Sequence, residues 1–286
     1  MQLALLLVFI ALLVALLVAL GTLAALRLVR RRRERLLVRE RPRRDEPATH
    51  LPLVLIHGFL GFDEITFLGR RHDYFRGLVE RLGDGVTTYR PRVPALASVK
   101  VRAEKLARFL ERVPEGRVNL IAHSMGGLDA RYALARLGIA DRVASLVTIG
   151  TPHRGTPLAD LGSRLVGTVS PLLAVAGIDA DGLACLTPTR MAAFNRDVLD
   201  RDGVLYTSIV GTAAPGALHP LLYLGHRYLL GRAGPNDGLV PASSQEWGEV
   251  LRRIEADHWA QIGWSRHFDL HGLFTDLLRE LRGRGL

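Results

Sequence analysis

Short, mostly apolar runs alternate along the chain with stretches whose apolar residues recur at three- and four-residue spacing. The runs near 52–57, 86–90, 117–123, 143–149 and 204–211 predict strands, and the patterns near 101–113, 125–137, 187–200 and 267–282 predict helices. Strand–helix alternation of this kind implies an α/β fold, a mainly parallel sheet covered on both faces. In the last helix Leu270, Leu273, Phe274, Leu277, Leu278 and Leu281 fall on one stripe, which is expected to pack on the sheet and not on a membrane. The roughly 238 residues from Thr49 onward suffice for a single domain with a large core, and no repeat or second domain is visible.

Ahead of this pattern lies a different one. Leu3 to Leu26 carries no charge, and at about 1.5 Å per residue it spans about 36 Å, enough to cross a hydrocarbon core of about 30 Å. Ten arginines follow, at 27, 30, 31, 32, 33, 35, 39, 41, 43 and 44, against only Glu34 and Glu40. The prediction is a transmembrane anchor over 1–26, a basic juxtamembrane linker over 27–48 and a globular part over 49–286. A cleaved signal peptide, cut near Ala19-Leu20-Gly21, is the competing reading. Against it, Met1-Gln2 supplies no positive side chain, and the apolar run exceeds the usual signal-peptide core. Positive flanks stay on the cytoplasmic side, so the globular part is expected in the cytoplasm, with export after cleavage as the alternative.

Charge refines the picture. Of the formal +10, residues 27–44 carry +8, which leaves the remainder nearly neutral at +2. The basic run reads as a contact to anionic headgroups, where each arginine contributes about 1 kcal/mol. No aromatic residue interleaves it to stack on bases, so nucleic acid is not an expected partner. The sequence leaves the oligomeric state open. Cys185 is the single cysteine, so no intrachain disulfide can form.

Candidate chemistry centres on Ala122-His123-Ser124-Met125-Gly126, between the apolar run Val118–Ile121 and a helix pattern. A serine on such a strand-to-helix turn is strained and needs small residues two before and two after it. Ala122 and Gly126 meet that need, although glycine is more usual at the first position. A second apolar run, Pro52 to Ile56, ends in the glycine-rich turn His57-Gly58-Phe59-Leu60-Gly61. The backbone N–H groups of Phe59 and Met125 are the candidate oxyanion donors.

A serine at such a turn is followed along the chain by its acid and then its histidine. Ten histidines are present, at 50, 57, 72, 123, 153, 219, 226, 258, 267 and 271, and the order leaves His219, His226, His258, His267 and His271. Asp237, in the turn Asn236-Asp237-Gly238-Leu239-Val240-Pro241, is the candidate acid, with Asp257 second to it because adjacent side chains point apart. His258, at the top of the last strand, is the candidate base, and His267 and His271, at the start of the final helix, are the alternatives. These residues suit attack by Ser124 on an ester, proton transfer to His258, and hydrolysis of an acyl-enzyme. No metal or organic cofactor is required.

Four blocks, His57–Asp63, Val118–Gly127, Ile149–Gly155 and Asn236–Val240, resemble in order and spacing the bacterial triacylglycerol lipases of the α/β-hydrolase superfamily, from about Leu51 to His258. The resemblance implies the α/β-hydrolase fold, a serine ester hydrolase for lipid or other hydrophobic carboxylic esters, and the roles above for Ser124, Asp237, His258, Phe59 and Met125. His153 in the third block reads as structural. Secreted members carry a calcium site that includes an aspartate two residues past the catalytic histidine; here that position is Ala260, so no metal is expected. The apolar, glycine-punctuated stretch 157–185 lies where lipase-like enzymes insert a lid, a permanently packed helical excursion being the alternative, and Leu218–Leu230 is expected to add a second apolar wall. A thioesterase or acyltransferase built on the same triad, or a membrane-tethered binding module without turnover, are the other functional readings.

Overall fold

The computed structural model describes residues 51–61, 64–67, 70–76, 78, 86–166, 179, 181–214, 216–265 and 268–286. The predicted anchor over 1–26 and linker over 27–48 lie outside them. Among the described residues no helix is long and apolar enough to cross a membrane.

The strands are β1 (Leu53–Ile56), β2 (Glu64–Phe67), β3 (Arg70–Asp73), β4 (Thr88–Tyr89), β5 (Val118–His123), β6 (Val143–Ile149), β7 (Leu205–Thr212) and β8 (Glu249–Glu255). Six of them form one sheet in the order β4-β1-β5-β6-β7-β8, every neighbouring pair parallel. β2 and β3 pair antiparallel as a separate ribbon. The helices are α1 (Val99–Leu110), α2 (Met125–Arg136), α3 (Pro157–Val166), α4 (Gly182–Cys185), α5 (Pro188–Asp197), α6 (Tyr223–Ala233), α7 (Ala242–Gln245) and α8 (Leu270–Gly283). The expected strands and helices are all present, although the run at 86–90 pairs only at Thr88–Tyr89. Within 157–185, α3 and α4 are helical, and 167–178 and 180 lie outside the described residues.

The ribbon and β8 escape the apolar pattern. β8, Glu249-Val250-Leu251-Arg252-Arg253-Ile254-Glu255, is the last strand of its sheet and has no fully buried residue. A strand solvated along its edge needs no continuous apolar run, so its sequence resembles surface.

Both faces of the inner strands are covered, which is why they read as largely apolar runs, broken only by buried polar residues such as Asn119, Ser145, Thr148, Thr207 and Ser208. On one face Leu53, Leu55, Ile121, Val147, Ile149 and Ile209 pack against the stripe of α8, from Leu270 to Leu281. On the other, Val54, Ile56, Leu120, Ala122 and Leu146 meet Ala103, Leu106 and Leu110 of α1 and Ala130, Ala133 and Leu134 of α2. Asp269 caps α8 by accepting from Gly272 N–H at 2.9 Å.

Between α1 and α2 lies a fully buried ion pair. Arg102 reaches Asp129 Oδ2 at 2.8 Å, and its remaining donors meet Pro94 O at 2.8 Å, His57 O at 2.8 Å and Gly58 O at 3.2 Å. Burial pushes the Asp129 carboxyl up to about 6, against the opposing pull of Arg102. Removing one member of a buried pair strands the other charge. Arg102→Met is therefore expected to lower unfolding stability by about 3–5 kcal/mol in urea titration, and adding Asp129→Leu is expected to restore part of that loss.

Candidate active site

Ser124 stands between the end of β5 and the start of α2 with φ 55° and ψ −133°. This left-handed geometry costs a non-glycine residue about 1–3 kcal/mol and persists only where the surroundings enforce it. Here Ser124 N–H donates to Ile149 O at 2.9 Å, and its carbonyl accepts from the Thr151 hydroxyl at 2.7 Å. Space around it is reserved by glycines. A Cβ on Gly58 would stand 2.6 Å from Ser124 Cβ, and one on Gly126 would stand 2.8 Å from His57 O and 2.9 Å from Ile56 O. The Ala122 side chain points into the α1–α2 core, where a methyl is accommodated.

The loop after β1 passes beside the serine. Gly58 N–H donates to the Tyr74 hydroxyl at 3.1 Å, Leu60 N–H donates to Ala95 O at 2.8 Å, and Arg102 holds the carbonyls of His57 and Gly58. With those carbonyls turned toward Arg102, the Phe59 N–H is left unclaimed; among the described residues neither it nor the Met125 N–H has an acceptor. Met125 opens α2, where the first amides of a helix carry partial positive charge.

Asp237 and His258 meet at the C-terminal edge of the sheet. His258 Nδ1 donates to Asp237 Oδ2 at 2.7 Å, and His258 N–H donates to Asp237 O at 2.8 Å. The other carboxylate oxygen accepts from Leu239 N–H at 3.0 Å and Val240 N–H at 2.7 Å. Gln261 Nε2 also donates to Oδ2, at 3.0 Å. The His258 ring lies 4.5 Å, centroid to centroid, from that of His123, the neighbour of Ser124.

Asp257 is occupied elsewhere. Its Oδ1 accepts from Trp259 and Ala260 N–H at 3.0 and 2.7 Å, and its Oδ2 from His219 N–H at 2.7 Å. It therefore caps the turn after His258 and is not hydrogen-bonded to that ring. His226 pairs with Asn236, His271 sits on α8, and His267 lies outside the described residues. The calcium ion does not fit these residues: Ala260 offers a methyl group, and both oxygens of Asp257 already accept protein N–H groups. His153 is fully buried, contacts Thr148 Oγ1 at 3.1 Å and stacks on Trp247 at 5.3 Å, under the Arg131 guanidinium 3.4 Å from the Trp247 ring. These contacts are structural.

Sequence reasoning missed Gln261, Tyr74, Thr151 and the Arg102–Asp129 pair. Gln261 follows His258 by three residues in a 3₁₀ turn, a spacing with no motif attached to it. Arg102 is one of several charged residues in the helix pattern near 101–113, and nothing in its spacing marks it as buried. The wall expected over Leu218–Leu230 is α6 with the 3₁₀ turn before it, and it leaves Leu221, Tyr223, Leu224 and Leu230 exposed.

Residues 52–165 match the alpha/beta hydrolase fold family. The chain is 32% identical over 249 residues to a triacylglycerol lipase of Vibrio cholerae, covering 71% of this chain and 76% of that protein. It is 30% identical over 298 residues to a triacylglycerol lipase of Pseudomonas fragi, covering 85% of this chain and 99% of that one. Among solved structures, a mature-form lipase of Bacillus licheniformis aligns with a TM-score of 0.65 at 23% identity, over 85% of this chain and 96% of that one. The Staphylococcus hyicus lipase aligns at 0.67 and 19% identity, over 87% and 99%. At these identities the structural likeness is one of fold.

Three buried histidines give the fold a pH signature. Burial, reinforced by Arg102, lowers His57 from 6.5 to about 3. Burial first, and then His258, holds His123 well below the usual value; for His153 burial is followed by Arg131. Below about pH 6.5 the unfolded chain binds protons at these rings that the folded chain does not, so stability falls as pH falls, at up to about 1.4 kcal/mol per pH unit for each ring. The urea midpoint is expected to drop steadily from pH 6.5 to pH 4; a midpoint flat over that window contradicts the burial of neutral rings.

Proposed function

The chain belongs to the triacylglycerol lipase family of α/β hydrolases, and on that premise we propose that it cleaves lipid or other hydrophobic carboxylic esters through an acyl-enzyme on Ser124. The observation that carries this reading is the strained serine at the end of β5, set beside two amides without acceptors.

In the proposed reaction Ser124 Oγ attacks the ester carbonyl while His258 Nε2 takes its proton. Asp237 holds the Nδ1–H tautomer and stabilises the imidazolium. Its own charge is met by four donors, two to each oxygen. The Phe59 and Met125 amides receive the oxyanion. His258 then protonates the departing alcohol, and water, activated by the same ring, releases the acid and restores Ser124. An apolar substrate is supported by the exposed Leu221, Tyr223, Leu224 and Leu230 on the element that covers the Asp237 loop; Leu222 of that element packs beside Gly238. A lid formed by 157–185 belongs to the same reading.

Attachment to a bilayer through 3–26, aided by Arg27–Arg44, is the second part of the proposal and rests on the apolar length and the charge run. The full chain is expected to stay with membranes after alkaline carbonate extraction, whereas a chain beginning at Thr49 is expected in the supernatant. Recovery of the full chain in the supernatant removes the anchor.

Hydrolysis of a chain-length series of chromogenic acyl esters tests the chemistry. Ser124→Ala is expected to lower kcat by about 10⁴-fold or more, and Asp237→Asn by about 10⁴-fold. Activity rising toward long chains supports a lipase, and activity confined to short chains shifts the substrate class to small esters. Equal activity in wild type and Ser124→Ala rules out this nucleophile.

A further inference from the structure

Gln261 touches no reacting atom in the reaction just described, yet its side chain is fully buried beside the proposed catalytic acid. Its Nε2 donates to Asp237 Oδ2, the oxygen that also accepts from His258 Nδ1. The amide orientation follows from chemistry, since a carboxylate takes only the donor end.

Two glycines leave room for this amide. A Cβ on Gly150, just after β6, would run into Gln261 Oε1, and a Cβ on Gly211, within β7, would run into Gln261 Nε2. Gly211 is itself fixed, its N–H donating to Gln245 Oε1 at 2.7 Å and its carbonyl accepting from Gln245 Nε2 at 3.0 Å. The ends of two inner strands thus form a slot around Gln261.

The far end of the amide points to a second group. Gln261 Oε1 and His123 Nε2 are both buried without a hydrogen-bond partner, and the groups that bear on the buried His123 ring are the His258 ring and backbone first and the Gln261 side chain after them. His123 Nδ1 lies 2.7 Å from the Tyr74 hydroxyl, which accepts from Gly58 N–H. A neutral His123 that accepts from the Tyr74 hydroxyl at Nδ1 carries its own proton on Nε2, which leaves one orphaned donor, His123 Nε2, and one orphaned acceptor, Gln261 Oε1, in the same buried region.

Resting on the functional reading above, we propose that Gln261 is a positioning residue for Asp237 and that, through His123 and Tyr74, it ties the catalytic acid to the loop bearing the Phe59 amide. The donor fills the second acceptor direction of Oδ2 and keeps the carboxylate from rotating away from His258 Nδ1. It also draws charge from that oxygen, which otherwise strengthens the hold of Asp237 on the imidazolium. The groups facing His258 are Asp237 from the loop before α7 and His123 from β5.

The test compares wild type, Gln261→Met, Gln261→Glu, His123→Phe and the Gln261→Met/His123→Phe double variant. It measures kcat and KM across pH on a soluble acyl ester, thermal unfolding, and Ser124 labelling by a fluorophosphonate. Gln261→Met is expected to lose about 10–100-fold in kcat with KM within about twofold, its acid limb of kcat/KM moving to higher pH. Gln261→Glu keeps the shape but sets a second carboxylate near His258, and its acid limb is expected to move further, by about one unit. The double variant is expected to lose less than the product of the single losses.

Unmoved pH limbs, or kcat losses that follow only thermal stability, overturn the positioning role. Losses that multiply independently overturn the His123 link. A wild type that neither hydrolyses esters nor labels at Ser124 overturns the functional reading and this inference with it, whereas an active wild type with indifferent variants overturns the inference alone.

Discussion

A serine held at φ 55° on the central strand of a parallel sheet is the constraint on which the rest of the site depends. The conformation is unfavourable in isolation, so its surroundings must leave no alternative. Backbone bonds to Ile149 and from Thr151 hold it from the β6 side, and the β1 loop closes over it from the other. Gly58 and Gly126 are both consequences, because a side chain at either would strike the serine or the β1 backbone. The same turn starts α2, so the amide nearest the serine is also one that the helix leaves without a partner.

The second requirement is electrostatic. Arg102, wholly buried, spends its donors on Asp129 and on the carbonyls of Pro94, His57 and Gly58. Those contacts fix which way the β1 loop presents its peptide groups, with carbonyls toward Arg102 and the Phe59 amide free. A buried ion pair is a weak source of stability, since desolvation offsets most of the attraction. Its use here is orientation. Asp237 shows the converse arrangement, a buried carboxylate made tolerable by four N–H donors, so that its charge is available to a single histidine.

Shape and polarity then separate the two ends of the molecule. The sheet buries apolar side chains on both faces through α1, α2 and α8. The C-terminal edge of the strands carries the polar constellation, and α6 with its preceding turn covers the acid loop while leaving Leu221, Tyr223, Leu224 and Leu230 in solvent. Apolar exposure at the rim of a polar site suits a substrate with a reactive ester and an apolar tail.

The sequence by itself determined the α/β alternation, the inner strands and the residues of the serine turn. Strands buried on both faces are predominantly apolar, and a strained elbow tolerates only small neighbours. The order of serine, acid and histidine also pointed to Asp237 and His258, a pair now seen 2.7 Å apart. Only the tertiary structure decided that Asp257 caps a turn, that β8 is a strand despite its charged residues, and that Arg102 lies in the core. Only there does Gln261, from the turn after β8, meet Asp237, and Tyr74, just past β3, meet His123 at the end of β5, because those groups come from separate segments of the chain. Local pattern records which face of an element is buried; it does not record which distant polar group shares that burial.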